Sequence, residues 1–159
     1  MNNIYLAGPF SWQERIRNHA EELKSLGYTI TSRWLTQEST FTTSDNSTIK
    51  SQKTWDNCQT YSVRDIEDIF SADTLILFEP GVAMERVTRI AEFGGALFTG
   101  RKCIVIGPEN EETKDVISNI FVKLSKIPEK WLRHSELGFI QSVSLFRTWK
   151  EFLDQINIS

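Results

Sequence analysis

The sequence predicts an α/β fold with a mostly parallel five-stranded sheet. Short apolar runs alternate with segments whose apolar residues recur at helical spacing, which is typical of parallel βαβ units. The chain has 159 residues, 40% hydrophobic and 25% charged, as expected of one ordinary globular domain with a real core. We therefore expect a single domain over residues 1–159, without internal repeats.

The amino-terminal part predicts a complete strand–helix–strand unit. Ile4–Ala7 is an apolar run that ends in a Gly-Pro turn, and Tyr28–Trp34 is expected to form the next strand. Between them, Ser11 and Glu14 have capping-box spacing, and apolar residues then recur at helical spacing as far as Gly27. Such a crossover between parallel strands is almost always right-handed.

The rest of the chain continues this alternation. Helices are expected over Cys58–Phe70, Arg86–Thr99, Thr113–Leu124, and from the capping-box pair Thr148 and Glu151 through Ile156. Strands are expected over Thr74–Phe78, Lys102–Ile106 and Ser142–Phe146. Ligands bind beyond the carboxyl ends of the strands in such sheets, which points to Gly8–Trp12, Glu79–Arg89 and Gly107–Asn110.

Residues Leu35–Thr54 interrupt the pattern. Thr, Ser, Asn and Gln dominate there, and Phe41 and Ile49 are the only apolar residues between Thr36 and Thr54. A loop of this length is uncommon in a compact domain unless it has a function. It is either a lid over the site or a poorly ordered excursion, and we favour the lid.

Charge and hydropathy exclude several classes of protein. A formal net charge of -3 argues against a dedicated nucleic-acid binder, which usually has a strong basic surplus. The longest apolar runs are too short to cross a membrane, and the sequence does not start like a signal peptide. We therefore expect a cytoplasmic protein with no nucleic-acid partner and no membrane partner.

The sequence also lacks the usual signs of a metal or an organic cofactor. Cys58 and Cys103 form no paired motif, and His19 and His134 lie far apart in unrelated contexts. There is no Walker motif, no Gly-x-Gly-x-x-Gly and no Gly-x-Ser-x-Gly. We expect no metal site and no cofactor.

Glu92 is the first candidate for chemistry. We place it in the first turns of its helix, where the terminal amides would favour an ionised carboxylate, as a nucleophile requires. Nearby, Gly94, Gly95 and Ala96 would allow close packing of the helix on the sheet. From this segment alone, an exposed first-turn glutamate that only complements the dipole is the better interpretation.

Asp65 and Tyr5 are further candidates, each with an ordinary alternative. On a helix, Ile66, Ile69 and Phe70 would form the buried stripe, with Asp68 and Arg64 opposite. Asp65 lies at the border of that stripe, where a carboxylate can reach a cleft, although most such residues are solvated. Tyr5 is ordinary core material in a strand, but its buried hydroxyl would need a partner such as a carboxylate. Gly8, Pro9 and Phe10 would either let a ligand approach the backbone or simply form the turn.

Several segments, taken together and in order, resemble the nucleoside 2-deoxyribosyltransferase family. They are Ile4–Phe10, Asp65–Phe78, Glu92–Leu97, Gly100–Pro108 and Thr148–Leu153. The resemblance implies a flavodoxin-like three-layer fold and a double displacement without a cofactor. It also implies that Glu92 attacks the sugar C1′, Asp65 manages the proton of the base, and Tyr5 positions the nucleophile. Asn119 resembles an asparagine that some members lend to a neighbouring subunit, and the family implies a homodimer or a higher homo-oligomer.

The sequence departs from that family just before the nucleophile. Arg86 stands where the transferases commonly have an acid, and Val87-Thr88 replace a common Gly-Gly pair. Either Arg86 and Arg89 bind a 5′-phosphate, or both are surface or interface residues. The phosphate interpretation favours the related nucleotide N-glycosidases.

Three hypotheses follow for a small-molecule nucleoside or nucleotide ligand. The leading one is a deoxyribosyltransferase-like enzyme that moves the sugar from one base to another through an ester on Glu92. The second is a nucleoside 5′-monophosphate N-glycosidase, a hydrolase that uses the same residue. The third is a non-catalytic module that binds or senses nucleotides and retains only the fold.

Overall fold

Five parallel strands form the centre of the protein. A computed structural model of the chain describes residues 3–36, 52–79, 86–107 and 143–156. The strands are β1 (Asn3–Ala7), β2 (Thr29–Ile30), β3 (Thr74–Phe78), β4 (Lys102–Ile106) and β5 (Val143–Phe146). The helices are α1 (Gln13–Ser25), α2 (Gln52–Ser71), α3 (Arg86–Phe98) and α4 (Trp149–Ile156). Short 3-10 helices lie at Phe10–Trp12 and Arg33–Thr36.

The strand order reverses between β1 and β3. The order is β2-β1-β3-β4-β5, and every neighbouring pair is parallel. This is the flavodoxin-like order, so the predicted fold class is confirmed. Because the strand order reverses between β1 and β3, their carboxyl ends, at Ala7 and Phe78, flank the usual ligand crevice.

Helices cover both faces of the sheet. Leu75, Ile76 and Leu77 of β3 are fully buried in succession, as expected for a strand packed on both sides. On one face α4 packs against α1, where the Trp149 and His19 rings stack with centroids 4.3 Å apart. On the other face α2 and α3 both contact β1, and α2 also contacts α3.

The end of α1 agrees with the prediction, but its start does not. Gly27 has a φ of 90°, and its N–H donates to the Lys24 carbonyl at 3.0 Å, which ends the helix in a Schellman-type turn. At the start, Ser11 lies in a 3-10 helix and the N-cap is Trp12, without a side-chain cap. The predicted capping box of Ser11 is therefore wrong. The predicted cap of the last helix is confirmed, because the Glu151 N–H donates to Thr148 Oγ1 at 3.1 Å.

The second strand is much shorter than predicted. Only Thr29–Ile30 pair with β1, although a strand was expected as far as Trp34. Side chains replace the ladder beyond that point: Ser32 Oγ accepts the Leu6 N–H at 2.6 Å, and Trp34 Nε1 donates to the Leu6 carbonyl at 2.7 Å. These side chains satisfy the backbone N–H and carbonyl of Leu6, so no strand is needed there and the chain forms a 3-10 helix.

The long helix α2 begins six residues before the predicted start at Cys58 and includes the last residues of the predicted polar loop. The remainder of that loop, 37–51, and the helix predicted over Thr113–Leu124 lie outside the described residues. Within the described ranges, no helix is long and apolar enough to cross a membrane.

Candidate active site

Tyr5 of β1 and Glu92 of α3 are in direct contact. The Tyr5 hydroxyl donates a hydrogen bond to Glu92 Oε1 at 3.2 Å, and the tyrosine is fully buried. Alternate residues of a strand point to opposite faces, so Tyr5 reaches the α2–α3 face of the sheet. The partner that its buried hydroxyl requires is therefore the carboxylate singled out as a nucleophile.

A cavity of about 360 Å³ between α2 and α3 contains both candidate carboxylates. Two helices line it: α2 provides Ser62, Asp65, Ile66, Ile69 and Phe70, and α3 provides Ala91, Glu92 and Gly95, with Thr99 directly after its end. Its volume lies in the range of small-molecule sites, and its walls are mainly apolar with a few convergent polar groups. The structure thus brings together Tyr5, Asp65 and Glu92.

The electrostatic expectation for Glu92 was wrong. Glu92 lies in the second turn of α3, and the effect of a helix terminus falls off within the first turn, so the terminus does not favour its charge. Burial raises its pKa to about 7, and the nearby charge of Asp65 adds to the rise. The Tyr5 hydrogen bond and the charge of Arg89 act in the opposite direction.

Asp65 is also a perturbed carboxyl group. Burial raises its pKa to about 6, with a further rise from the charge of Asp68, while Arg33 lowers it. Its Oδ1 is buried and has no hydrogen-bond partner among the described residues. A buried polar oxygen without a partner calls for an explanation, and in a residue that lines a cavity a role toward a ligand is one.

The sequence pattern assigned Asp68 to the wrong side of α2. It was expected on the exposed side of α2, but it is 5% exposed, whereas Ile66 and Phe70 are 54% and 58% exposed. Its carboxylate accepts the Arg33 backbone N–H at 2.8 Å and Arg33 Nε at 2.6 Å. Because Arg33 supplies this partner from a distant segment, helical spacing alone could not reveal the burial of Asp68.

Arg89 is neither a surface residue nor an open phosphate ligand. It is 3% exposed, its Nη1 donates to the Phe78 carbonyl at 3.4 Å and lies 3.7 Å from Glu79 Oε2. Glu79 is equally buried, so the two form an internal ion pair beyond β3. The surface alternative is wrong for Arg89. Arg86 begins α3, and Asn119 lies outside the described residues, so the roles assigned to both stay predictions.

Gly8, Pro9 and Phe10 form the turn at the carboxyl end of β1 and do not line the α2–α3 cavity. A Cβ on Gly8 would lie 2.3 Å from Ile16 Cδ1, so the glycine permits close packing against α1. Phe10 is 40% exposed beside Trp34, with ring centroids 6.4 Å apart. The turn role is seen directly, and the substrate-binding role of these residues stays a prediction.

The two glycines that follow Glu92 on α3, Gly94 and Gly95, do not have the packing role that was expected of them. A Cβ built on Gly94 or Gly95 meets nothing within 4 Å, so close packing on the sheet requires neither glycine. Ala96 is fully buried and provides the close contact instead. Gly95 lines the cavity and Gly94 does not.

Comparison with solved structures shows a likeness in fold. No family model and no curated protein matches the chain. Among solved structures, the chain is similar to a Clostridium botulinum CMP N-glycosidase, BcmB, with a TM-score of 0.53 and 18% identity. The match covers 98% of this chain and 99% of that one. The likeness shows a shared fold over nearly the whole length.

Over the ranges that the structure describes, no group of three or more His, Cys, Asp or Glu side chains could hold a metal ion.

Proposed function

We propose that the protein cleaves the N-glycosidic bond of a nucleoside or nucleotide, with Glu92 as nucleophile and Asp65 as proton donor. The main support is that both carboxyl groups line one cavity and that Tyr5 hydrogen-bonds to Glu92. Pairs of carboxyl groups are the usual means of cleaving a bond to an anomeric carbon.

In the first step, a Glu92 oxygen attacks C1′ and forms an ester bond as the C1′–N bond breaks. The electron pair of that bond goes to the departing base, which takes a proton from Asp65 directly or through water. The Tyr5 hydroxyl fixes the orientation of the Glu92 carboxylate during the attack.

In the second step, water attacks C1′ and the ester C–O bond breaks, which returns Glu92 as a carboxylate. Asp65, now ionised, accepts the proton that water loses. The pKa is raised to about 6 for Asp65 and to about 7 for Glu92, so the pair holds roughly one proton at a pH between these values, and the first step requires that proton to be on Asp65.

The likeness to a nucleotide N-glycosidase supports hydrolysis of a 5′-monophosphate. Arg89 is already paired with Glu79, so the phosphate role falls to Arg86 as a prediction. Transfer to a second base is the alternative, and the resemblance of the sequence segments to deoxyribosyltransferases supports it. The two reactions share the first step and differ only in whether water or a base attacks the ester.

The test is base release from a panel of substrates, measured by chromatography. The protein is incubated with CMP, other ribo- and deoxyribonucleoside monophosphates, and the parent nucleosides, each with and without a second free base. Release from a monophosphate without a second base supports hydrolysis, and base exchange on a nucleoside supports transfer. Binding without any turnover would instead support the non-catalytic module.

Matched variants connect the activity to the site. Glu92→Ala is expected to abolish turnover, and acid-quenched wild-type protein should show the mass of one attached sugar that the variant lacks. Glu21→Gln is the control, because Glu21 is an exposed acid on α1 that pairs with Lys24 at 2.8 Å. Turnover by a folded Glu92→Ala variant would rule out the proposed role of Glu92.

A further inference from the structure

A buried charged residue lies one helical turn from each site carboxylate, and the two charges are opposite. Arg89 precedes Glu92 by three residues on α3, and Asp68 follows Asp65 by three residues on α2. Residues at this spacing are neighbours on a helix surface. Arg89 is 3% exposed and Asp68 is 5% exposed, so water screens neither charge effectively.

Each of these charges is held in place by a partner from another segment. Arg89 Nη1 lies 3.7 Å from Glu79 Oε2 and donates to the Phe78 carbonyl at 3.4 Å. Asp68 accepts Arg33 Nε at 2.6 Å and the Arg33 backbone N–H at 2.8 Å. The pairs therefore fix a positive charge near Glu92 and a negative charge near Asp65.

We propose that these two ion pairs are positioning elements that divide the roles of the site: Arg89 favours ionised Glu92, and Asp68 favours protonated Asp65. The inference rests on the proposed function, in which one carboxyl group attacks and the other supplies the proton. Environments that separate the protonation of two neighbouring acids are how a site assigns them different tasks.

Among the described residues, Arg89 and Asp68 act in the sense of this division, whereas Asp65 acts against it at Glu92 and Arg33 acts against it at Asp65. Around Glu92, Arg89 and the Tyr5 hydroxyl lower the pKa, and the charge of Asp65 raises it. Around Asp65, Asp68 raises the pKa by more than Arg33 lowers it.

Burial acts against this division, because it raises the pKa of Glu92 to about 7 and that of Asp65 to about 6. In the empty site the proton therefore favours Glu92. The ion pairs reduce this bias, and the positive character that develops at C1′ in the reaction favours ionised Glu92 further.

The test is a carbon-13 NMR titration of the side-chain carboxyl groups in the full chain. Asp68→Asn should lower the pKa of Asp65, and Arg89→Gln should raise that of Glu92, each by about one unit. Arg89→Lys should restore the wild-type value because it keeps the charge. Glu67→Gln is the control: Glu67 pairs with Arg33 at 2.8 Å but its side chain is 61% exposed, so a shift below about 0.3 units is expected.

If Asp68→Asn or Arg89→Gln does not fold, two other variants test the same proposal by removing the partner of each ion pair. Arg33→Gln should raise the pKa of Asp65, and Glu79→Gln should lower that of Glu92. Unchanged pKa values in folded variants, or shifts in the opposite sense, would overturn the proposal. The titration requires no turnover, so it stays informative if no base is released and the proposed function fails.

Discussion

Tyr5 and Glu92 join β1 to α3 through a hydrogen bond of 3.2 Å from the Tyr5 hydroxyl to Glu92 Oε1. Burial, together with the charges of Glu92 and Asp65, raises the pKa of Tyr5 well above its usual value of 10.0. The hydroxyl therefore remains a donor at neutral pH, and it stabilises the ionised form of Glu92.

Removing that hydroxyl gives the first prediction. Tyr5→Phe should lower kcat/KM by about 10-fold to 100-fold, because a hydrogen bond to a charged group contributes roughly 1.5–3 kcal/mol. The acidic limb of the pH profile of kcat/KM should also move to higher pH, since Glu92 loses a group that lowers its pKa. An unchanged acidic limb in a folded variant would contradict the role of Tyr5.

The stability of the protein should depend on the ionisation of Glu92. Its pKa is about 7 in the folded state against 4.5 in the unfolded chain, so its contribution to stability is present below pH 4.5 and is lost as the pH rises through 7. Glu92→Gln is neutral at every pH and should raise the free energy of unfolding by up to about 3 kcal/mol at pH 8.5.

Urea denaturation at pH 8.5 and pH 4.5 measures this difference. The gain from Glu92→Gln should nearly disappear at the lower pH, where the folded state holds the proton and the unfolded state is about half protonated. A gain of equal size at both pH values would show that the ionisation of Glu92 is not its source.

Gly94 and Gly95 provide a matched pair of substitutions on α3. Either glycine to alanine should stabilise the fold by about 0.5–1 kcal/mol, because alanine is the better helix former and the new Cβ meets nothing within 4 Å. Only Gly95 lines the cavity, so Gly95→Ala alone should raise KM. Equal KM values for the two variants would place the substrate elsewhere.

Gly27 tests the end of α1. With a φ of 90° and open space around it, Gly27→Ala should cost about 1–2 kcal/mol for backbone conformation alone. Gly27→Asn should cost less, because asparagine tolerates the left-handed region. Thermal unfolding of the two variants beside the wild type measures the difference, and a larger loss for asparagine would contradict this account.

Much of the fold could be predicted because its signals are local. Thr74–Phe78 and Lys102–Ile106 are uninterrupted apolar runs, and the structure has strands with these bounds. The prediction of a strand as far as Trp34 was wrong because the side chains of Ser32 and Trp34 hydrogen-bond to the backbone of Leu6 in β1. No local pattern encodes such a contact.

The site could be predicted only in part, for the same reason. Tyr5, Asp65 and Glu92 were found through resemblance, and the structure brings them together. The burial of Asp68 and Arg89 depends on Arg33 and Glu79, which reach them from outside their helices. Ion pairs between distant segments do not follow the regular spacing of a helix or a strand, so they cannot be predicted from that spacing.

Both site carboxylates are borne by helix interiors and not by loops. The distance between Asp65 and Glu92 therefore depends on how α2 packs against α3. A change that tilts one helix by a small angle would alter the spacing of the reacting groups without touching either of them. The inter-helix angle is thus a means by which remote substitutions could tune the chemistry of this fold.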